Sequence, residues 1–362
     1  PKILWLKENE PHHYRALETV LLPHDYVNFF LTGERTMEFG DASGTGLMDI
    51  RTKEWCQPLI DFIDPELSSA LPAIASSRRA IGLLRDSLRA KWGLEKSPVV
   101  SAGGGDNMMS AIGTGNVQPG VVTVSLGTSG TVFAHAAEPV ADSEGEIAAF
   151  CDSTDKWMPL ACTMNVTVAT EQLRRLFGWS LEEMEKQIAS TPAGAGELLF
   201  LPYLNGERTP NLPEGTGVFH GLTTATMAPA PMARAVMEGV TLGLAYGLNR
   251  FRSLGIKPTE IRLTGGGSKS AVWRQICADI FGVSTVCLKS AEGAALGSAI
   301  QAAYAFYAAQ GKAVTFRELC TRIVQVDNYT RCVPNEDTTD AYTSLLARQS
   351  EITRRLHAGG LL

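Results

Sequence analysis

Several protein classes are excluded by what this 362-residue chain lacks. Its seven cysteines, Cys56, Cys151, Cys162, Cys277, Cys287, Cys320 and Cys332, contain no CxxC pair, and an odd, scattered set is no disulfide framework. Such thiols act as small apolar residues in a reducing compartment, so a cytoplasmic protein is expected. The six histidines show neither HExxH nor HxH spacing, and no metal ligand is assigned. No apolar run reaches membrane length and no signal peptide is evident, so no membrane partner is expected. With 32 Lys and Arg against 38 Asp and Glu, the net charge of −6 offers no basic footprint for nucleic acid. The chain also has no GxxxxGKS and no GxSxG, and the glycines at Gly113 and Gly115 are wrongly spaced for a dinucleotide fingerprint.

What is present is ordinary in bulk: 19% charged and 44% hydrophobic residues make a soluble globular chain, long enough for two domains. The chemistry is concentrated between Val99 and Gly130, VVSAGGGDNMMSAIGTGNVQPGVVTVSLGTSG. Val99 and Val100 run into Gly103, Gly104 and Gly105, the pattern of a buried strand ending in a tight turn. Asp106 stands at the mouth of that strand, ahead of a helical run through Met108, Met109 and Ile112. Two readings of Asp106 stay open on these grounds, a helix N-cap or an acid placed for chemistry.

A second strand, VVTVSL at Val121 to Leu126, is closed by Gly127, Thr128, Ser129 and Gly130. Glycine lets a backbone approach a ligand closely, and free amides with hydroxyls can cradle phosphate oxygens. The same turn also reads as a hairpin tip returning through Thr131, Val132 and Phe133, and the two readings are compatible. The order strand, three glycines, polar residue, helix recurs at 261–280 with Gly265, Gly266 and Gly267, a hint of internal duplication.

Elsewhere, Asp25 to Leu31 predicts a helix with Tyr26, Phe29 and Phe30 on one side and Gly33 as its stop. Asp41 to Gly46 reads as a solvated turn. Glu144 to Leu160 suggests further strands of one sheet, which suits an α/β layer architecture. Phe200 to Pro210, FLPYLNGERTP, reads as an irregular polar loop whose adjacent Glu207 and Arg208 take a surface or hinge role. Pro231 to Gly255 predicts a long helix whose Ala235, Gly239, Leu242 and Gly243 admit a close neighbour. Ala291 to Ala309 predicts an Ala-rich helix whose N-terminus could abut a nucleotide. A domain boundary is expected near Gly113 to Gly115, and the opening at Pro1 suggests a start inside a fold.

The segments Gly103–Asn107, Ser125–Gly130, Leu201–Pro210, Gly217–Leu222 through Glu238, and Leu263–Gly267 with Trp273 and Arg274 together resemble the FGGY-type carbohydrate kinases, most of all those acting on xylulose. The resemblance runs from Lys2 to about Ala305 and implies an α/β, actin-like ATPase fold of duplicated ribonuclease-H-like sheets, with two domains around a cleft. The first domain is expected to be incomplete, because the family's N-terminal phosphate-binding segment and a Met-His-Gly type sugar contact have no counterpart here. Residues 1–114 would be the later part of domain I on the sugar side, and 115–362 the ATP-binding domain II.

The implied reaction is ATP-dependent phosphorylation of D-xylulose to its 5-phosphate, with ATP and Mg2+ as cofactors. Asp106 matches the base for the sugar hydroxyl, and Asn107 would hydrogen-bond the sugar. Gly127, Thr128 and Ser129 would meet the ATP phosphates, and Gly266, Gly267 and Ser270 the adenosine. The expected partners are the sugar and ATP, with a homodimer compatible. Kinases for gluconate, ribulose or glycerol share the scaffold, and a non-catalytic actin-like nucleotide switch is the alternative from another class. Asp106 argues against the switch, which needs no base. Pro231 replaces a polar residue usual in the family, and Met108 and Met109 stand where small residues are common.

Overall fold

The computed structural model describes residues 1–290 and 292–362; Ala291, the expected start of the last Ala-rich helix, lies outside them. The second part of the chain is built on a seven-stranded mixed sheet. Its first strand, Val121–Leu126, is buried at every position except the half-buried Ser125, as a strand covered on both faces must be. It turns at Gly127–Ser129 and returns antiparallel as Gly130–Ala134. Trp157–Thr163 and Ala148–Cys151 extend that side antiparallel, so the strands expected between Glu144 and Leu160 do join this sheet. On the other side Glu260–Thr264 and Thr285–Leu288 add parallel, and Val326–Cys332 closes the edge antiparallel. A three-stranded meander continued by two parallel crossovers is the ribonuclease-H-like order the resemblance implies.

Parallel neighbours require long crossovers, and helices supply them. Pro229–Ser253 carries both Pro229 and Pro231 in its first turn, where a missing N–H costs nothing, and is followed by Gly255 at φ +88°. A Cβ on Gly239 would lie 2.4 Å from the Phe200 carbonyl oxygen, so the small residues of this helix do admit the strand Leu199–Pro202. The same helix buries an ion pair, Arg234 Nε to Glu238 Oε1 at 2.5 Å. Tyr342 Oη, from the closing helix Glu336–Ala358, donates to that carboxylate at 2.7 Å.

Residues 1–113 contribute helices and two-stranded pairs: Thr36–Glu38 runs parallel to Ala73–Ala75, and Ala80–Leu83 antiparallel to Val99–Ser101. The helix Pro23–Thr32 ends at Gly33 as predicted and keeps Tyr26, Phe29 and Phe30 on one side; Tyr26 and Phe30 are exposed, while Asp25 and Asn28 are buried. Its polar side is inward because Asn28 Nδ2 donates to the Ala102 carbonyl at 2.6 Å, bracing the glycine turn. One expectation fails here: Asp41 to Gly46 is not a solvated turn. Phe39–Gly44 is helical, capped by the Glu38 carboxylate, and a Cβ on Gly44 would lie only 3.1 Å from the Phe150 ring. The small residues there serve close packing against the strand Ala148–Cys151.

The two parts meet along a pair of helices, Asp106–Gly113 and Gly293–Ala309. A Cβ on Gly113 would fall 1.8 Å from the Gly293 carbonyl oxygen, and one on Gly297 would fall 1.8 Å from that of Met109. The first turn of the Ala-rich helix therefore abuts Gly113 and Thr114. Met108, Met109 and Ile112 share one core with Phe133, Met158, Leu160, Ile300 and Tyr304, so the two methionines are core-filling residues. No helix among the described residues is long and apolar enough to cross a membrane.

Candidate active site

Asp106 is presented by a turn that only glycine permits at its most constrained point. Gly103 has φ +74°, and a Cβ there would lie 2.9 Å from the His24 ring. Gly105 caps the helix Asp106–Gly113, which settles the N-cap question: Asp106 is the first helical residue. Its side chain is exposed, and Oδ1 accepts from Asn107 N at 2.8 Å and Asn107 Nδ2 at 3.2 Å. Among the described residues the second oxygen has no protein partner, so it can face a ligand. Asn107 Oδ1 in turn accepts from Thr131 Oγ1 at 3.3 Å, which ties the start of this helix to the hairpin.

The turn is clamped from below by side chains that sequence reasoning missed. Gln301, buried in the Ala-rich helix, donates to the Gly103 carbonyl at 2.7 Å and the Ser77 carbonyl at 3.0 Å, and accepts from Gly103 N at 2.9 Å. His24 lies between two carboxylates, with Nδ1 2.5 Å from Asp41 and Nε2 3.1 Å from Asp25. His24, Glu38 and Asp41 bring donor atoms within 4.8 Å of one another. The Glu38 oxygens are taken by Gly40 N, Asp41 N and the Ser77 hydroxyl, so the group reads as a brace for the turn.

Burial pushes the Glu38 carboxyl up to about 7 and that of Asp25 up to about 6. Burial alone would depress His24, but the Asp41 hydrogen bond and the surrounding carboxylates raise it above its ordinary value. All three raised values mean that the native state holds these protons more tightly than the unfolded chain. Their contribution to stability is complete below the unfolded carboxyl values, near pH 4, and is lost as pH rises through about 6 and about 7. Tm is therefore expected to fall as pH rises across that interval, and Glu38→Gln, which cannot ionise, to flatten the fall. Equal slopes in the two proteins by scanning calorimetry would remove Glu38 from the account.

The phosphate-type turn and the second glycine triplet leave the same edge of the sheet. Val121–Leu126 and Glu260–Thr264 are parallel, with Ser125 opposite Thr264, so Gly127 and Gly265 follow the carboxyl ends of neighbouring strands. That edge is where open α/β sheets bind ligands. Thr128 and Ser129 are exposed and Gly127 half-buried. The Thr128 and Gly127 carbonyls accept from Val166 N at 3.0 Å and Thr167 N at 2.9 Å, anchoring the turn on the helix Thr167–Leu176. Gly265, at φ +83°, lies so close to Leu126 that a Cβ would be 2.7 Å from its carbonyl oxygen. Gly266 and Gly267 begin a short 3-10 turn, and Ser270 caps the helix Ala271–Phe281 through Trp273 N.

Gly266, Gly267 and Ser270 line one cavity of about 410 Å³ together with Thr167, Thr170 and Glu171. Those last three were missed, although their i, i+3, i+4 spacing beside the phosphate turn marks one helix face. The cavity's apolar wall includes Met237 and Trp273, the latter fixed by Nε1 donating to Thr241 Oγ1 at 2.9 Å. The surface role expected of Glu207 does not hold. It is 3% exposed and accepts from Met164 N at 2.6 Å and Arg208 N at 2.8 Å, because the loop folds back onto the segment that anchors the phosphate turn. Arg208 remains exposed.

Known proteins share this sequence pattern and fold. The model of the FGGY family of carbohydrate kinases, N-terminal domain, matches residues 1–113, and that of the C-terminal domain matches 122–306. The xylulose kinase of Haemophilus influenzae is 39% identical over 97% of this chain and 71% of its own length. That of Streptomyces rubiginosus is 38% identical over 83% of this chain, and the match spans 60% of its own length. Among solved structures, a xyloylose kinase from Brucella ovis has a TM-score of 0.91 at 31% identity, covering 99% of this chain and 72% of that one. A gluconate kinase from Lactobacillus acidophilus has a TM-score of 0.90 at 26% identity, covering 98% and 71%. With both domain models matched in order and a sheet of the actin-like type, the chain belongs to the FGGY family of carbohydrate kinases.

Proposed function

We propose that the protein carrying this chain phosphorylates a sugar hydroxyl with ATP, and that the sugar is D-xylulose, converted to its 5-phosphate. The observation that carries the reading is the exposed Asp106 carboxylate, held by one oxygen and joined through Asn107 to the hairpin that bears the Gly127–Ser129 turn. Asp106 accepts the proton of the attacking hydroxyl, which requires only hydrogen-bond reach and a free oxygen. The sugar oxygen then forms its bond to the γ-phosphorus as the bond to the ADP oxygen breaks. Positioning and charge stabilisation supply most of the remaining rate.

Asn107 orients the sugar, while Gly127, Thr128 and Ser129 hold the phosphates. Gly266, Gly267 and Ser270 take the adenosine side, in a cavity with an apolar wall for the base and hydroxyls beside it. These turns suit a nucleotide's phosphates, and Mg2+ carried on ATP would neutralise their charge. We place the division of the chain at 114, with the sugar side before it and the nucleotide side after, and a cytoplasmic location is consistent with the unpaired thiols. The xylulose kinases at 38–39% identity favour xylulose, and the gluconate kinase structure keeps gluconate as the second substrate to test.

The test is ADP release from Mg-ATP by the intact protein with xylulose, gluconate, ribulose, glycerol or no sugar. Stimulation by xylulose alone supports the full reading. A larger response to another sugar keeps the chemistry and overturns the substrate, and no response to any of them moves the nucleotide-switch alternative forward. Thr128→Val is expected to weaken ATP binding about tenfold or more, the cost of one hydrogen bond to a charged group, while leaving sugar affinity near wild type. Titration of each ligand separately checks this, and a larger loss for the sugar would reverse the assignment of the turn.

A further inference from the structure

Residues directly opposite each other in an antiparallel ladder share one face of the sheet. Thr131 is opposite Ser125 on one side and Cys162 on the other, so Ser125, Thr131 and Cys162 form a row near the Gly127–Ser129 turn. Thr131 reaches from this row to Asn107, the neighbour of Asp106. Arg208 arrives at the same row from another direction. Its backbone amide shares Glu207 Oε1 with Met164 N, two residues beyond Cys162, which sets Arg208 beside that thiol; burial raises the thiol's pKa and the nearby guanidinium draws it back.

Arg208 is exposed, and unlike Arg234 and Arg250, which pair with Glu238 and Asp142, it pairs with no carboxylate among the described residues. Its backbone is nonetheless fixed. Glu207 Oε1 holds Arg208 N and Met164 N, Asn165 Nδ2 donates to the Gly206 carbonyl at 2.8 Å, and the following Val166 and Thr167 amides bind the phosphate-type turn. A guanidinium without a counter-charge is thus carried on a loop locked to that turn, beside the row that leads to Asp106. An anion between the two would complete the arrangement, and the transferring phosphoryl group is such an anion, with charge on three equatorial oxygens.

We propose that Arg208 is a catalytic residue of the phosphoryl transfer, donating to the equatorial oxygens of the γ-phosphoryl group as it passes from ADP to the sugar oxygen. Arg208 keeps its proton throughout; the hydroxyl proton goes to Asp106 and the bridging oxygen leaves with ADP. The assignment rests on the kinase reading above.

It is tested with the intact protein and its Arg208→Ala and Arg208→Lys variants, by steady-state kinetics and thermal melting. Loss of one donor to developing charge costs about 100-fold or more in kcat, and that loss is expected for Arg208→Ala, with KM for the sugar and Tm near wild type. Arg208→Lys, a point charge without the planar fork, should recover part of the rate. Guanidinium ion added below denaturing concentration should also restore part of the Arg208→Ala turnover and none of that lost in Asp106→Asn. Wild-type turnover in Arg208→Ala overturns the assignment alone. So does a kcat loss that tracks a fall in Tm and resists guanidinium, because the Cys162 contact would then be structural. Absence of phosphoryl transfer by the wild-type protein to any sugar overturns the kinase reading and this assignment with it.

Discussion

Asp106→Asn is expected to lower kcat by about 10²- to 10⁴-fold while nucleotide affinity and Tm stay close to wild type. The variant keeps the shape of the side chain, and its amide oxygen still accepts from Asn107 N and Nδ2, the two contacts that orient the carboxylate. Nothing buried is lost, because Asp106 is exposed at the first position of its helix. What disappears is the capacity to take a proton at the free oxygen. The full effect should therefore appear in the chemical step, and calorimetric titration with Mg-ATP separates it from binding. Turnover equal to wild type would end the general-base assignment. A parallel collapse of ATP affinity would instead make Asp106 part of the nucleotide site.

The second large effect is on stability. Gly297→Ala would place a methyl 1.8 Å from the Met109 carbonyl oxygen and 2.9 Å from Gly113 N, in a contact made of backbone on both sides. No rotamer change can relieve such an overlap, so the helices Gly293–Ala309 and Asp106–Gly113 must separate. Overpacking of this kind costs about 3 kcal/mol, the upper end of its usual range. Gly293→Ala, one turn earlier on the same helix, is the control: its Cβ would meet Thr114 Cγ2 at 3.7 Å, an ordinary contact. Denaturant melts should show a large loss for the first variant and little for the second, and kcat should fall with the first because Asp106 begins the displaced helix. Equal stability of the two would show that the helices are not this close in solution.

Features whose determinants are local could be read before the fold was known. Three glycines, an acid and a helical run spelled the turn at Gly103–Asp106, and the apolar, β-branched run VVTVSL spelled the first strand of the sheet. Gly33 and Gly255 marked the ends of their helices because a left-handed residue is needed there. The brace under the turn was not legible, since its signal is a partner distant in sequence. Gln301 among alanines looks like a solvated position, yet it bonds segments more than 190 residues away. The aromatic side of the helix at Pro23–Thr32 was legible from spacing, but its inward side was not, because Asn28 is drawn in by the buried carbonyl of Ala102. Glu207 beside Arg208 looked like two surface charges, and only the backbone amides it collects separate the buried one from the exposed one.

The glycine contact between the two helices also has a mechanical meaning. A joint with no side chains in it has no rotamers to take up displacement, so it transmits motion without slack. The helix that starts at Asp106 also shares its core with Phe133 and Leu160 of the large sheet. Sequence order assigns Asp106 to the first part of the chain, yet its helix is packed rigidly against the second. The acid therefore stays fixed to the sheet for as long as these two helices stay in contact.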